Sequence, residues 1–102
     1  MKISETKLFS KLVYKYINDL EFLRIVSQLL ENPKKGDIVK GAGGLRKLRW
    51  GLDSKGKSGG LRIIYYHESE KLLLFVFIYS KSETAELTKE QYMVLKQIIE
   101  ED

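Results

Sequence analysis

Leu8, Phe9, Leu12, Val13, Tyr16 and Ile17 recur at three- and four-residue spacing, which predicts a helix over about residues 6–17. Phe22, Ile25, Val26, Leu29 and Leu30 repeat the pattern almost at once. Between the two runs, Asn18-Asp19-Leu20-Glu21 resembles a capping box, with Asn18 or Asp19 accepting from free amides and Glu21 reaching back. Asn32-Pro33 should stop the second helix, because the residue before a proline avoids helical geometry. Two helices joined with so little loop form a hairpin that needs a broad apolar surface to pack on. Residues 1–4, ahead of them, have room only for a very short edge strand.

From residue 45 the period changes. In Leu45–Leu52, Leu48, Trp50 and Leu52 point one way while Lys47 and Arg49 point the other, as in a half-buried strand. The glycine-rich stretches 41–44 and 56–60 flank it as expected turns. Leu61–His67, rich in β-branched and aromatic residues, is the next strand. Leu72–Ser80 is apolar on both faces, so it should be a central strand covered on each side. The short His67–Lys71 link makes these two an antiparallel hairpin. A last helix over about 88–100 places Tyr92, Leu95, Ile98 and Ile99 on one side. Helices, then strands, then a helix define an α+β class: an N-terminal helical hairpin on a small, mainly antiparallel sheet, with a C-terminal helix.

Composition narrows the chemistry. A chain of 102 residues, 43% hydrophobic, supports one domain over 1–102 with one core. With no cysteine there is no thiolate nucleophile, disulfide or Cys-based zinc site, and the single histidine, His67, cannot make a His-rich metal cage. No metal or other cofactor is expected. The longest apolar run, Leu72–Tyr79, is far short of the roughly 20 residues that span a bilayer. Lys2, Glu5, Lys7 and Lys11 interrupt any candidate signal peptide, so a cytoplasmic chain without membrane partners is expected.

The net charge of +4 is unevenly spread. Between residues 34 and 62, nine Lys or Arg stand against only Asp37 and Asp53, whereas the last twenty residues are net acidic. A basic block beside a neutral sheet suits a polyanionic partner, although a solvated lysine-rich surface would have the same composition. Gly51 to Ser58 also satisfies the phosphate-loop pattern G-x-x-x-x-G-K-S. That match is coincidental: a phosphate loop needs a helix directly after the Ser, and here Gly59-Gly60 and a strand follow. The informative residues are instead those that strand alternation gathers. Lys47 and Arg49 leave one strand, Arg62 opens its neighbour, and Tyr79 and Lys81 close the strand beyond, giving three rigid strands that present cations and a phenol on one wall.

Three separated segments carry a resemblance: Gly43-Gly44-Leu-Arg-Lys-Leu-Arg49, then Lys55-Gly-Lys-Ser-Gly-Gly-Leu-Arg-Ile-Ile-Tyr-Tyr66, then Tyr79-x-Lys81-x-Glu83. In order and spacing they resemble the HigB branch of the RelE/ParE toxin superfamily, over nearly the whole chain. The resemblance implies a RelE-like fold and the toxin component of a toxin–antitoxin system. It implies an endoribonuclease that enters the ribosomal A site, against 16S rRNA, cuts the mRNA there and stops translation. It also implies a cognate antitoxin, in this branch one with a helix-turn-helix domain. By matching motif positions, Lys47, Arg49 and Arg62 fall where the family carries active-site cations, and Tyr79 and Lys81 match the branch's last-strand signature. RelE-like members have an Arg and a Tyr beyond that strand where this chain has Ser82 and Thr88, which leaves the general acid and base open.

The chemistry fits those residue types. RNA can be cut without metal by attack of its own 2′-OH on the adjacent phosphate, so no protein nucleophile is required. The enzyme must move two protons and stabilise charge on phosphorus, and Arg clamps phosphoryl oxygens with parallel hydrogen bonds. Arg62 is expected on the scissile phosphate, Lys47 or Arg49 beside it, and Lys81 or Tyr79 in proton transfer. Arg46, Lys40, Lys55 and Lys57 are expected to hold the RNA backbone. Duller roles are expected for Trp50, a core residue, and for His67, a solvated turn residue. One of Tyr65 and Tyr66 belongs to the core. A gyrase poison of the ParE kind and a non-catalytic RNA-binding module are the competing functions; the several cations on the wall speak against the first.

Overall fold

The computed structural model describes residues 1–52 and 56–101. Its elements are β1 (Lys2–Glu5), α1 (Lys7–Leu12) continued by a single 3₁₀ turn (Val13–Lys15), α2 (Asp19–Glu31), β2 (Asp37–Ile38), β3 (Leu45–Leu52), β4 (Gly56–Ser69), β5 (Leu72–Ser80) and α3 (Lys89–Glu101). The five strands form one sheet in the order β1-β5-β4-β3-β2. Only β1 runs parallel to its neighbour, β5; every other pair is antiparallel. This is the expected α+β architecture.

Both faces of the sheet are covered, which explains the unbroken apolar run of β5. On one face Phe9, Val13, Ile17, Ile25 and Leu29 of the helical hairpin pack on Leu48, Ile63, Tyr65, Leu73, Phe75 and Ile78. Phe9, Phe22 and Phe75 make a ring cluster there, with centroids 5.1–5.8 Å apart. On the other face α3 brings Tyr92 and Leu95 onto Leu45, Ile64, Val76 and Tyr79. Trp50 packs half-buried against the hairpin core, as expected of a core residue, and its Nε1 donates to Glu21 Oε2 at 2.6 Å.

Several boundaries differ from the expectations. The first helix tightens into 3₁₀ geometry after Leu12 and ends at Lys15. Asn18 does cap α2, its side chain accepting from the Glu21 amide at 2.9 Å. Glu21 does not reach back; its carboxylate serves Trp50 and Arg24 instead. Residues 56–60 belong to β4 rather than to a turn, while residues 53–55 lie outside the described residues. The glycines at 41, 43 and 44 do form a turn with positive φ. At Gly44 (φ 96°) a Cβ would also lie 2.9 Å from the Tyr66 ring, so only glycine suits the position. The two-residue strand β2 has no periodic signal; it exists because Gly36 lets the chain press on β3, where a Cβ would sit 2.9 Å from the Lys47 carbonyl.

β5 contains an extra residue. Tyr65 pairs with Phe75 and Ile64 with Phe77, so Val76 is opposed by no residue of β4. Leu73 and Phe75 face the helical hairpin, but beyond Val76 the parity inverts: Ile78 faces the hairpin while Phe77 and Tyr79 face α3. A bulge re-aims the side chains that follow it. Thr6 holds this one: fully buried, it donates from Oγ1 to the Val76 carbonyl at 2.9 Å, and its amide donates to the Phe75 carbonyl at 2.9 Å. The same hydroxyl caps α1 by accepting from the Phe9 amide.

Candidate active site

The bulge completes a row across the sheet. Arg49 pairs with Arg62 and Arg62 with Tyr79, on β3, β4 and β5. Directly opposed residues share a face, so two guanidinium groups and a phenol stand in line on the α3 side. Lys47 lies two residues before Arg49 on the same face, opposite Ile64 and Phe77. Four of the five expected catalytic residues are thereby brought together. The fifth, Lys81, is exposed just past the end of β5, its amide held by the Gly60 carbonyl at 3.2 Å.

The environments of the four differ. Arg49 is exposed and Lys47 partly covered, but Arg62 keeps only 8% of its surface and Tyr79 only 4%. The Tyr79 hydroxyl is buried, with no hydrogen-bond partner among the described residues. Burial pushes its pKa up, Glu86 adds to the rise and Arg62 opposes it, so the phenol keeps its proton at neutral pH. Tyr92 on α3 lies beside it, raised to about 12 by burial and by the neighbouring Tyr79 and Glu86. Phe77 stacks against the Tyr79 ring with centroids 5.9 Å apart.

The acidic member of the site is one that alternation and charge counting missed. Glu86 lies in the loop before α3, and its Oε1 accepts from Lys47 Nζ at 2.7 Å. That hydrogen bond, followed by the charge of Lys47 and then of Arg62, lowers its pKa against a small rise from burial. Its signal in the sequence was too weak to find: a lone Glu in a loop, far from Lys47 along the chain. Tyr92 was read only as a core residue and sits at the edge of the site as well. Thr88, where the family has a tyrosine, caps α3 reciprocally with Gln91 at 2.8 and 3.1 Å.

Of the four expected backbone-holding residues, the side chains of Arg46 and Lys40 are described. Arg46 lies on the opposite face, its guanidinium donating to the carbonyls of Gly36 at 2.7 Å and Lys34 at 3.2 Å. Lys40 is exposed in the turn before β3. Lys57 falls within the backbone of β4, and Lys55 lies outside the described residues. Tyr65 is the core tyrosine, fully buried, its hydroxyl donating to the Pro33 carbonyl and accepting from the Gly36 amide. Tyr66 packs on the α3 side, away from the row. His67 is not the solvated turn residue expected: it lies within β4, half-buried, with Nε2 enclosed and without a partner among the described residues.

A cation row with a protonated phenol, on a sheet held between a helical hairpin and a terminal helix, defines a small basic protein equipped to grip a phosphodiester. The model of the RelE toxin of the RelE/RelB toxin–antitoxin system matches residues 1–101, and the chain belongs to that family. Such proteins are toxins paired with an antitoxin, and they generally act as endoribonucleases that inhibit translation by cutting mRNA. Among the described residues no helix is long and apolar enough to cross a membrane.

Proposed function

We propose that this chain is a ribosome-dependent mRNA endonuclease acting in the cytoplasm, and that it cuts by attack of the RNA's own 2′-OH without a metal ion. The observation that carries this reading is the Arg49–Arg62–Tyr79 row. Two guanidinium groups side by side can grip the non-bridging oxygens of one phosphodiester and stabilise the charge that builds as the 2′-oxygen adds. The 2′-O–P bond forms, the P–O5′ bond breaks, and the 3′ fragment leaves with a 5′-hydroxyl. Tyr79, kept protonated by burial, supplies the proton for the leaving oxygen, and Lys47 shares the phosphate charge. Lys81 is the candidate for receiving the 2′-OH proton. Lys40, Lys55 and Lys57 steer the RNA backbone; Arg46 has its guanidinium committed to main-chain carbonyls. A partner antitoxin carrying a helix-turn-helix domain completes the system.

The test is to induce the chain alone in bacterial cells and map mRNA 5′ ends, with and without a drug that blocks initiation. Cuts confined to translated reading frames, and lost when initiation is blocked, are expected. Cuts that persist in untranslated RNA, or growth arrest with intact mRNA, would contradict the reading.

A further inference from the structure

The expected catalytic arginine and tyrosine are nearly buried, and the segment that follows β5 brings a carboxylate close to them. Residues 81–88 leave β5, turn back through hydrogen bonds to the Ser80 carbonyl at 3.0 and 3.1 Å, and enter α3. Glu83 accepts from the Tyr16 hydroxyl at 2.6 Å, tying the start of this segment to the helical hairpin. Glu86 ties its far part to Lys47 at 2.7 Å, and Leu87 beside it is buried in the α3-side core. Arg62 keeps 8% of its surface, and the Tyr79 hydroxyl, in the same core cluster as Leu87, has no hydrogen-bond partner among the described residues. The charge of Glu86 reaches Lys47, Arg62, Tyr79 and Tyr92 alike. The carboxylate holds a lysine of the cation wall that a phosphate would also take.

Building on the RNA-cleaving reading above, we propose that Glu86 is a built-in occupant of the phosphate position: its carboxylate holds Lys47 and draws residues 81–88 over Arg62 and Tyr79, and an RNA phosphate takes Lys47 by displacing it. The ion pair is well suited to exchange. The Glu86 side chain is 69% exposed against 23% for Lys47, and exposed pairs are held weakly enough for a competing anion to replace them. Binding RNA through Lys47 then costs the parent its own ion pair, a cost that salt lowers by screening the pair.

Competition for Lys47 makes the proposal measurable. Each phosphate neutralised on a single strand contributes about 0.7 to the slope of log K against log salt through cations released from the RNA, in parent and variant alike. The binding of a short 2′-O-methyl RNA, which cannot be cut, is measured over a KCl series for the parent, Glu86→Gln, Glu100→Gln and Lys47→Gln/Glu86→Gln. Glu86→Gln should bind several-fold more tightly than the parent at low salt, and the gain should shrink as KCl screens the Lys47–Glu86 pair that the parent must give up. Glu100→Gln, which removes the same charge from the exposed end of α3, should bind as the parent does. The gain should vanish in the double variant, since Lys47 is its source. Parent affinity in Glu86→Gln at low salt, or an equal gain in Glu100→Gln, would overturn the proposal while leaving the RNA reading in place. Absence of salt-dependent RNA binding by every chain would sink the RNA reading as well. A Glu86→Gln chain with unchanged binding but lost cleavage on ribosomes would also overturn it, making the carboxylate a proton acceptor.

Discussion

Arg62 is a nearly buried arginine that donates from Nη1 to its neighbour's carbonyl, Leu61 O, at 3.3 Å. A cation so placed, between Arg49 and Tyr79, is expensive to keep unless an anion visits it. Arg62→Ala should lower single-turnover cleavage by about 10²–10³, the usual cost of losing one donor to a developing anion. Arg62→Lys should recover only part of the rate, since a point charge cannot reproduce the two-pronged grip. Circular dichroism and antitoxin binding check that both variants fold; a folded Arg62→Ala that remains as toxic as the parent would remove Arg62 from the mechanism. His67 lies across the sheet from this row, opposite Leu73 of the hairpin-side core. His67→Gln should therefore leave growth inhibition intact, and a folded but silent variant would contradict that placement.

At the scale of elements, strand alternation was legible wherever a strand was regular. β3 and β5 begin and end where the pattern put them, at Leu45–Leu52 and Leu72–Ser80. The bulge at Val76 was not legible, because nothing in an all-apolar strand distinguishes an inserted residue, yet it alone sets Tyr79 facing α3. β2 and the 3₁₀ turn were hidden for a similar reason: both are fixed by tertiary contacts rather than by local period. Glu86 was missed because its partner, Lys47, is 39 residues away and charge counting treats each end of the chain separately. Thr6 is the element-scale determinant that follows from the bulge. Thr6→Val keeps the shape but strips the donor from the Val76 carbonyl and the cap from α1. A buried unsatisfied carbonyl costs about 1–3 kcal/mol and a lost N-cap about 1 kcal/mol. A loss of about 2–4 kcal/mol in urea unfolding is expected from these two effects; a loss under about 0.5 kcal/mol, the usual range for substitutions that disturb no such feature, would show that the bulge holds itself.

For the whole molecule, the two cores on opposite faces of one sheet make the site part of the fold: Tyr79 and Tyr92 belong to the α3-side core and border the cation row. Folding stability should therefore register their titration. Tyr92 has an ordinary pKa of 10.0 when unfolded and about 12 in the fold, so the fold favours its neutral form. Its contribution is fully present below pH 10 and is lost as pH rises from 10 through about 12. Tyr92→Phe keeps the ring and removes the titration, so its alkaline unfolding midpoint should lie above the parent's. An unchanged or lower midpoint would show that the tyrosine is not desolvated in the way its burial indicates.

The uneven charge has its meaning at this scale too. The basic block feeds the row on β3 and β4, and the acidic C-terminal stretch supplies Glu86, which pairs with Lys47 beside it. The central claim is that the RNA's own 2′-oxygen is the nucleophile at this row. It is tested most directly with ribosomes programmed by two messages that differ only in a single 2′-deoxy substitution at the nucleotide before the mapped cut. The all-ribose message should be cut to a 2′,3′-cyclic phosphate, or the 3′-phosphate derived from it, and a 5′-hydroxyl, while the deoxy message should stay whole. Cutting of the deoxy message at the same place, with 3′-hydroxyl ends, would contradict the account.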